Sequence, residues 1–484
     1  MSRINTNVSS LIARNNLART NTDLGVRLQR LSTGLRINRG ADDPAGLIVS
    51  ERLRTEISGI GQSIDNIERA SNVIATTEGS LQEINSLLVS IKSLVVESAN
   101  TGAFSREEIE ANQLQIDSAI ESITRISNTA SFAGLKLLNG SLDYLTSGVV
   151  ASQISDVQIN GANFGLNTSI PVTVEVLNSA EHGQLFLSGN GTGTFTSAVG
   201  FEVQGPTGVQ AFSFASGTSL SAVAVAINAV SDATGIRAVL ASATDPTSGL
   251  ILESIEFGGD AFVSVNKLTG GDFFNTFTAQ GGTAVIRDTG EDTVALINGN
   301  LALGDGLDIA LNSPTLNVEL TLTSGAAQVL NTPYTYTITG GGATYQIGGD
   351  INTQQQVGFG IQSVAASRLG NSRVGFLNSI VAGQGNSLVA GNARAASDII
   401  DAAIDQVSVL RGRLGAFERN TLDTTLRSQQ VALENLTASE SSIRDTDFAE
   451  ETAALTRAQI LQQAGTSTLA IANSTAQSVL SLLG

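Results

Sequence analysis

Ile57-Ser58-Gly59-Ile60-Gly61-Gln62-Ser63-Ile64-Asp65-Asn66-Ile67 opens a pattern that runs unbroken to Val95. Ile60, Ile67, Ile74, Leu81, Leu88 and Val95 fall at steps of seven, and Ile57, Ile64, Ile84 and Ile91 supply most of the interleaved positions. Sustained apolar heptads specify helices that bury a narrow stripe against other helices. Near the other terminus Ala403, Val407, Leu410, Leu414 and Phe417 alternate steps of four and three. Helices of this kind at both ends imply that the termini pack together and that the middle projects from them as an insertion. That is the plan of an assembly subunit and not of an enzyme.

Working outward, Leu17, Leu24 and Leu31, with Leu28 and Leu35 between them, predict a first helix from about Ser9 to Leu35. Asp42-Asp43-Pro44 reads as a new helix start, with acidic caps and proline in the first turn. The helix that follows extends to about Ala99. Ser105-Arg106-Glu107-Glu108 is a capping box for a third helix with Ile109, Ile116, Ile120 and Ile123 on one face. Asn139-Gly140 closes the region with a turn. From about residue 145 to 380 the pattern becomes short alternating runs such as Val172-Thr173-Val174-Glu175-Val176, punctuated by turns such as Gly340-Gly341-Gly342. This is β structure, interrupted by one amphipathic helix at about Leu220–Val230. Helical periodicity resumes near Asn386. The last helix carries Leu469, Ala472, Ala476, Val479 and Leu483, a stripe whose small residues permit close approach. The expected fold is therefore α at both ends, as long antiparallel coiled-coil helices, around a large β-rich insertion: an α+β multidomain rod.

The net charge of -18 argues against nucleic-acid binding and against anionic membrane surfaces. Cysteine is absent, which removes disulfides and thiolate metal sites. No apolar run approaches the roughly 18 residues of a membrane span. The start, Met1-Ser2-Arg3-Ile4-Asn5, has no apolar segment of the signal-peptide kind, so an extracellular destination would require dedicated export. Residues 1–40 carry seven arginines against Asp23 alone, whereas residues 440–484 are net acidic. Opposite signs favour pairing of the two ends.

Several motifs resemble those of bacterial flagellins. Arg30-Leu31-Ser32-Thr33-Gly34-Leu35-Arg36-Ile37-Asn38 followed by Asp42-Asp43-Pro44-Ala45-Gly46 is similar to the family's N-terminal signature, as is Thr76-Thr77-Glu78-Gly79-Ser80-Leu81. Arg413-Leu414-Gly415-Ala416, Glu434-Asn435-Leu436, Ile443-Arg444-Asp445-Thr446-Asp447 and Ile460-Leu461-Gln462-Gln463-Ala464-Gly465 resemble its C-terminal half. A stretch near 193–265 resembles a small module of flagellins and hook-associated proteins.

The resemblance implies a filament protomer, exported unfolded with a secretion chaperone through the flagellar type III apparatus. It would polymerise with itself beneath a cap and beyond hook–filament junction proteins, outside the cell. It implies an inner core from 1–43 and 440–484, assembled through Leu17, Leu24, Leu28, Leu31, Leu35, Leu469, Ala472, Ala476, Val479 and Leu483. An outer core from 44–145 and 386–439 would join Ile60, Ile67, Ile74, Leu81, Leu88 and Val95 to Val407, Leu410, Leu414 and Phe417, with 146–385 as the surface. The termini are expected to order only on polymerisation, because isolated amphipathic helices leave their stripes unburied. A host receptor reads many flagellins on one helical face. Here that face holds Ser90, Lys92 and Leu94, with Gln115 on the adjoining helix, and so lacks the arginine and glutamate of recognised members.

No catalytic, cofactor or metal site is expected. The single histidine, His182, reads as a surface residue, and Asp42-Asp43 as caps. Gly189-Asn190-Gly191-Thr192-Gly193 reads as turns, and Asp305-Gly306-Leu307-Asp308 matches no calcium loop. The alternatives are a hook–filament junction protein, or an adhesin displayed through the insertion.

Overall fold

The computed structural model describes residues 6–481 apart from 166, 189–192, 243–244, 246, 271–273 and 314; the side chains of 475–481 also lie outside the description. Helices at the two ends flank a β-rich middle. The chain packs as two compact units. One holds the described residues of Met1–Ala70, Gln346–Ile351 and Arg419–Gly484, and the other Ser71–Tyr345 and Asn352–Glu418.

In the first unit the Val8–Thr33 helix is capped by Asn7, whose side chain accepts from Ser10 N, and it ends at Gly34 with φ 74°. The left-handed conformation there suits glycine, which has no Cβ to clash. Asp43 Oδ1 then accepts from Gly46 N at 2.9 Å, capping the helix Pro44–Ser98. Gly46 lies close under two side chains. A Cβ there would lie 2.5 Å from the Asp43 carboxylate and 2.7 Å from Ile37 Cδ1, and Ile37 is buried.

The second unit contains the remainder of that helix, the helix Arg106–Thr129, the β insertion and the helix Ala393–Phe417. The capping box at Ser105 and Glu108 is fully formed. Helical structure resumes at Ala393, later than Asn386, because 3-10 turns at Leu377–Ile380 and Leu388–Ala390 come first. Gln113 holds that segment in place, donating to Ile380 O at 2.9 Å and accepting from Leu388 N at 2.8 Å. The Ala393–Phe417 helix runs antiparallel to the 71–98 stretch: Lys92 bonds to Asp401, Arg411 faces Glu78 at 3.7 Å, and Glu418 accepts from Ser71.

Eight antiparallel strands form the main sheet. Their order is Tyr144–Ser147, Pro333–Gly341, Ile170–Asn178, Val294–Ile297, Asn300–Asp305, Asp308–Asn312, Leu316–Leu322 and Ile154–Ala162. Alternate residues of these strands make one core, including Val172, Val174, Val176, Val318, Leu320, Tyr336 and Ile338, as a period of two dictates. The sheet curls until its edges meet. The Tyr144 hydroxyl accepts from Ala162 N at 2.9 Å and donates to Ala162 O at 3.3 Å, bridging the first strand to the last. Gly358 and Gly360 run alongside, where an added Cβ would strike the Tyr144 ring, its hydroxyl or the neighbouring carbonyls at 2.5–3.0 Å.

A smaller module, with two four-stranded sheets around the helix Leu220–Asn228, has its own core. Phe201 is fully buried there, stacked on Phe274 at 4.7 Å. The helix stops at Asn228, whose side chain exchanges hydrogen bonds with Ala238 N and O.

Candidate assembly interface

The first and last helices pair antiparallel, and polar contacts fix their register. Asn7 Nδ2 donates to Ala472 O at 2.8 Å, Gln462 to Asn21 at 2.9 Å, and Arg27 reaches both carboxylate oxygens of Glu451 at 3.1 and 3.2 Å. Burial works against the Arg27 charge, but Glu451 and Asp23 more than offset it and hold the guanidinium above the usual arginine range. Glu451 is only 5% exposed. A buried carboxylate without such a partner would be strongly unfavourable. Gly465 lets the helices close up, since a Cβ there would stand 3.3 Å from Leu17 Cδ1.

Beyond Gly34 the two chain ends stay joined. Arg36 N donates to Arg444 O at 2.7 Å, the Arg36 guanidinium to Ile443 O at 2.6 Å, and Thr446 N to Gly34 O at 2.9 Å. Arg444 in turn meets Glu51 at 2.9 Å. The Arg30–Asn38 and Ile443–Asp447 motifs are thus one joint, made largely by main-chain atoms.

Pairing leaves apolar surface over. Leu17, Leu24, Leu31, Leu35, Leu469 and Ala472 are half-buried, and Leu28 is 50% exposed. Ile12, Ile460, Leu461 and Ile471 are all more than half exposed. Ala476, Val479 and Leu483 of the expected stripe lie outside the described side chains and residues. The best-buried residues of the pair, Ala13, Glu451 and Ala458, are ones that the leucine pattern does not mark.

Ile60 and Ile67 are buried within the first unit, and Ile74, Leu81, Leu88 and Val95 within the second with Val407, Leu410 and Leu414. The heptad is thus shared between two units, a division its spacing does not reveal. Phe417 is half-buried, its ring 5.0 Å from Phe359 and 6.1 Å from Tyr345. On the receptor-type face Ser90 and Gln115 are exposed and Leu94 is half-buried. Lys92 is turned onto Asp401 and Ser397 of the C-terminal helix.

His182 is not a free surface residue. It is half-buried, its ring centroid 3.7 Å from that of Phe257 with the planes tilted by 31°, and its Nδ1 is 3.0 Å from Glu256 O. Nothing near His182 in the sequence marks that ring partner, 75 residues away. Asp305 and Asp308 flank a hairpin turn with Gly306 at φ 59°. Among the described residues no group of three or more histidines or carboxylates is arranged to hold a metal. Residues 189–192 of the glycine-rich run lie outside the described residues; Gly193 follows them at φ 66°. None of the described helices is long and apolar enough to cross a membrane.

Three family models match: "Bacterial flagellin N-terminal helical region" over 4–143, "Bacterial flagellin C-terminal helical region" over 397–483, and "Flagellin hook IN motif" over 200–256. The chain is 30% identical over 505 residues to a flagellin of Salmonella typhimurium and 32% identical over 512 residues to the B-type flagellin of Pseudomonas aeruginosa, covering 99% of both chains in each case. Among solved structures, a flagellar cap protein of Escherichia coli aligns with a TM-score of 0.30 at 15% identity, over 48% of this chain and 64% of the other.

Proposed function

The chain belongs to the bacterial flagellin family, and from that premise we propose that its paired terminal helices are the assembly surface of the flagellar filament. It is a structural subunit of that extracellular polymer. One observation supports this use of the termini: both helices keep large apolar side chains outward after pairing, with Leu28 and Ile460 at least half exposed. Large apolar side chains left outward along two paired helices mark a surface to be covered, and in a homopolymer the covering groups are the same helices of neighbouring copies. Residues 1–43 and 440–484 then form the inner core, 44–145 and 386–439 the outer core, and 146–385 the exposed surface. Passage through the export apparatus with a chaperone, and addition beneath a cap beyond the junction proteins, complete the reading.

Removing residues 1–40 and 440–484 tests it. The product should be a folded, soluble monomer that forms no filaments by negative-stain microscopy under conditions where the full chain does. Long filaments from the truncated chain would refute the assignment.

A further inference from the structure

Four Asn-Gly pairs occur in the chain, at 139–140, 160–161, 190–191 and 298–299. Asparagine is thermolabile, and most so before glycine, where no Cβ shields the following amide from its side chain. Asn190 lies outside the described residues. The other three sit in different surroundings, and one of them is left free to react.

Asn298 turns the hairpin between Val294–Ile297 and Asn300–Asp305 at φ 49°. Its side chain is held at both ends, Oδ1 accepting from Thr173 N at 2.8 Å and Nδ2 donating to Pro171 O at 3.1 Å. Asn160 is buried in the strand Ile154–Ala162, and its Nδ2 donates to Asn317 at 3.2 Å and to Glu319 at 2.9 Å. Both side-chain amides are fixed by partners far along the chain.

Asn139 differs on each count. It is exposed, in the turn that leads from the helices into the β insertion. Among the described residues neither its Nδ2 nor the Gly140 N–H has a hydrogen-bond partner. Its Oδ1 accepts from Ser141 N at 3.0 Å. That contact folds the side chain back over Gly140, so Cγ is held beside the nitrogen that would attack it. The Ser141 N–H also points at the oxygen on which negative charge develops during the attack.

We propose that Asn139 is a site of spontaneous deamidation. The Gly140 nitrogen gives its proton to water or hydroxide and bonds to Asn139 Cγ. The Cγ–Nδ2 bond breaks, and Nδ2 takes up a proton and leaves as ammonia. Water then opens the five-membered imide at either carbonyl. One opening leaves aspartate; the other leaves isoaspartate, with the main chain routed through the former side chain. Water is consumed, ammonia is released, and a carboxylate is added at the entrance to the insertion.

The test is incubation of the full chain at mildly alkaline pH, with conversion at each pair followed by peptide mass spectrometry and isoaspartate counted by methyltransferase labelling. Asn139 should convert at least tenfold faster than Asn160 and Asn298 and take up oxygen from isotopically labelled water. Its rate should rise with pH, since the deprotonated amide is the nucleophile. In the chain unfolded with urea the three rates should converge, because the fold is what distinguishes the sites. An intact Asn139, conversion of Asn160 or Asn298 at a comparable rate in the folded chain, or an undiminished preference for Asn139 in urea would each overturn the proposal.

Discussion

In the helical ends Leu81, Ile84, Leu88 and Ile91 reach complete burial along a single helix whose seven-residue period can be read directly. In the insertion Val174, Val318 and Tyr336 are as deeply buried, but their neighbours are strands brought from far along the chain, such as Tyr334 opposite Val174. The first region specifies its faces locally and still leaves apolar surface uncovered on its terminal helices. The second specifies little locally, yet closes its own core. On the proposed reading, one region is completed by copies of itself and the other is complete alone.

The sharpest way to break that comparison is to remove the insertion. Val364 N donates to Leu138 O at 3.1 Å, and Gly140 lies against Ser363, so Gly140 and Ser363 can be joined through a short flexible linker while Gln113 keeps its partners near Ile380. Filaments should still form. Their loss, with helical circular dichroism intact, would show that the insertion supplies contacts between subunits.

A smaller effect is expected at the helix pair. Glu451→Ala removes the carboxylate that Arg27 meets across the helix pair and leaves it only Asp23 of its own helix. Because Arg27 is 27% exposed, the cost should be about 2 kcal/mol, below the 3–5 of a fully buried pair. Filaments of the variant should depolymerise at lower temperature. An unchanged melting point would mean that water replaces the pair at no cost.

Tyr144→Phe probes the insertion by comparison. It strips the bridge from Ala162 N and O and should cost about 1–2 kcal/mol, seen as a lower denaturant midpoint for the second unit with polymerisation unaffected. Wild-type stability in this variant would show that Gly358 and Gly360 close the sheet without the hydroxyl.

The two regions should also differ, slightly, in pH response. Backbone N–H donors from Arg39 and Asn38 hold Asp42 below the usual carboxylate range, and the Ser105 amide does the same for Glu108. Their contribution is present above the ordinary carboxylate pKa and is lost as pH falls through the lowered folded values. Burial pushes Asp143 in the opposite direction. Its charge weakens the fold near neutral pH, and acidification through its raised value relieves that cost. Asp143→Asn should therefore stabilise the fold more at pH 7 than at acid pH. A gain that does not change with pH would show that the carboxyl is already protonated or that its charge is not the cause.

The capping box at Ser105 and the heptads were legible because each signal lies within a few residues of its partner. Asp43 was legible for the same reason. The bridge from Tyr144 to Ala162 was not, because nothing near a tyrosine at the start of a short strand announces a contact with the opposite sheet edge. The burial of Glu451 was not legible for a related reason, although its pairing with the arginine-rich end was expected from charge. Charged residues on a helix read as solvated, and only their distant neighbours bury them. The leucine stripe falls on half-buried and exposed positions of the terminal helices, and the residues in closest contact there are the small ones, Ala13, Ala458 and Gly465, which a search for large apolar side chains passes over.

The Tyr144 bridge also constrains the order of events. The strand that carries Tyr144 has its sheet partner in Pro333–Gly341, with Ser147 opposite Thr337, and the segment that seals the seam comes later still, around Gly358. Contacts so distant in sequence impose a large closure entropy and slow folding. A chain that emerges N-terminus first therefore cannot complete this sheet piecemeal. Its first strand waits for nearly 200 further residues, and until they arrive the edge that Tyr144 seals stays open.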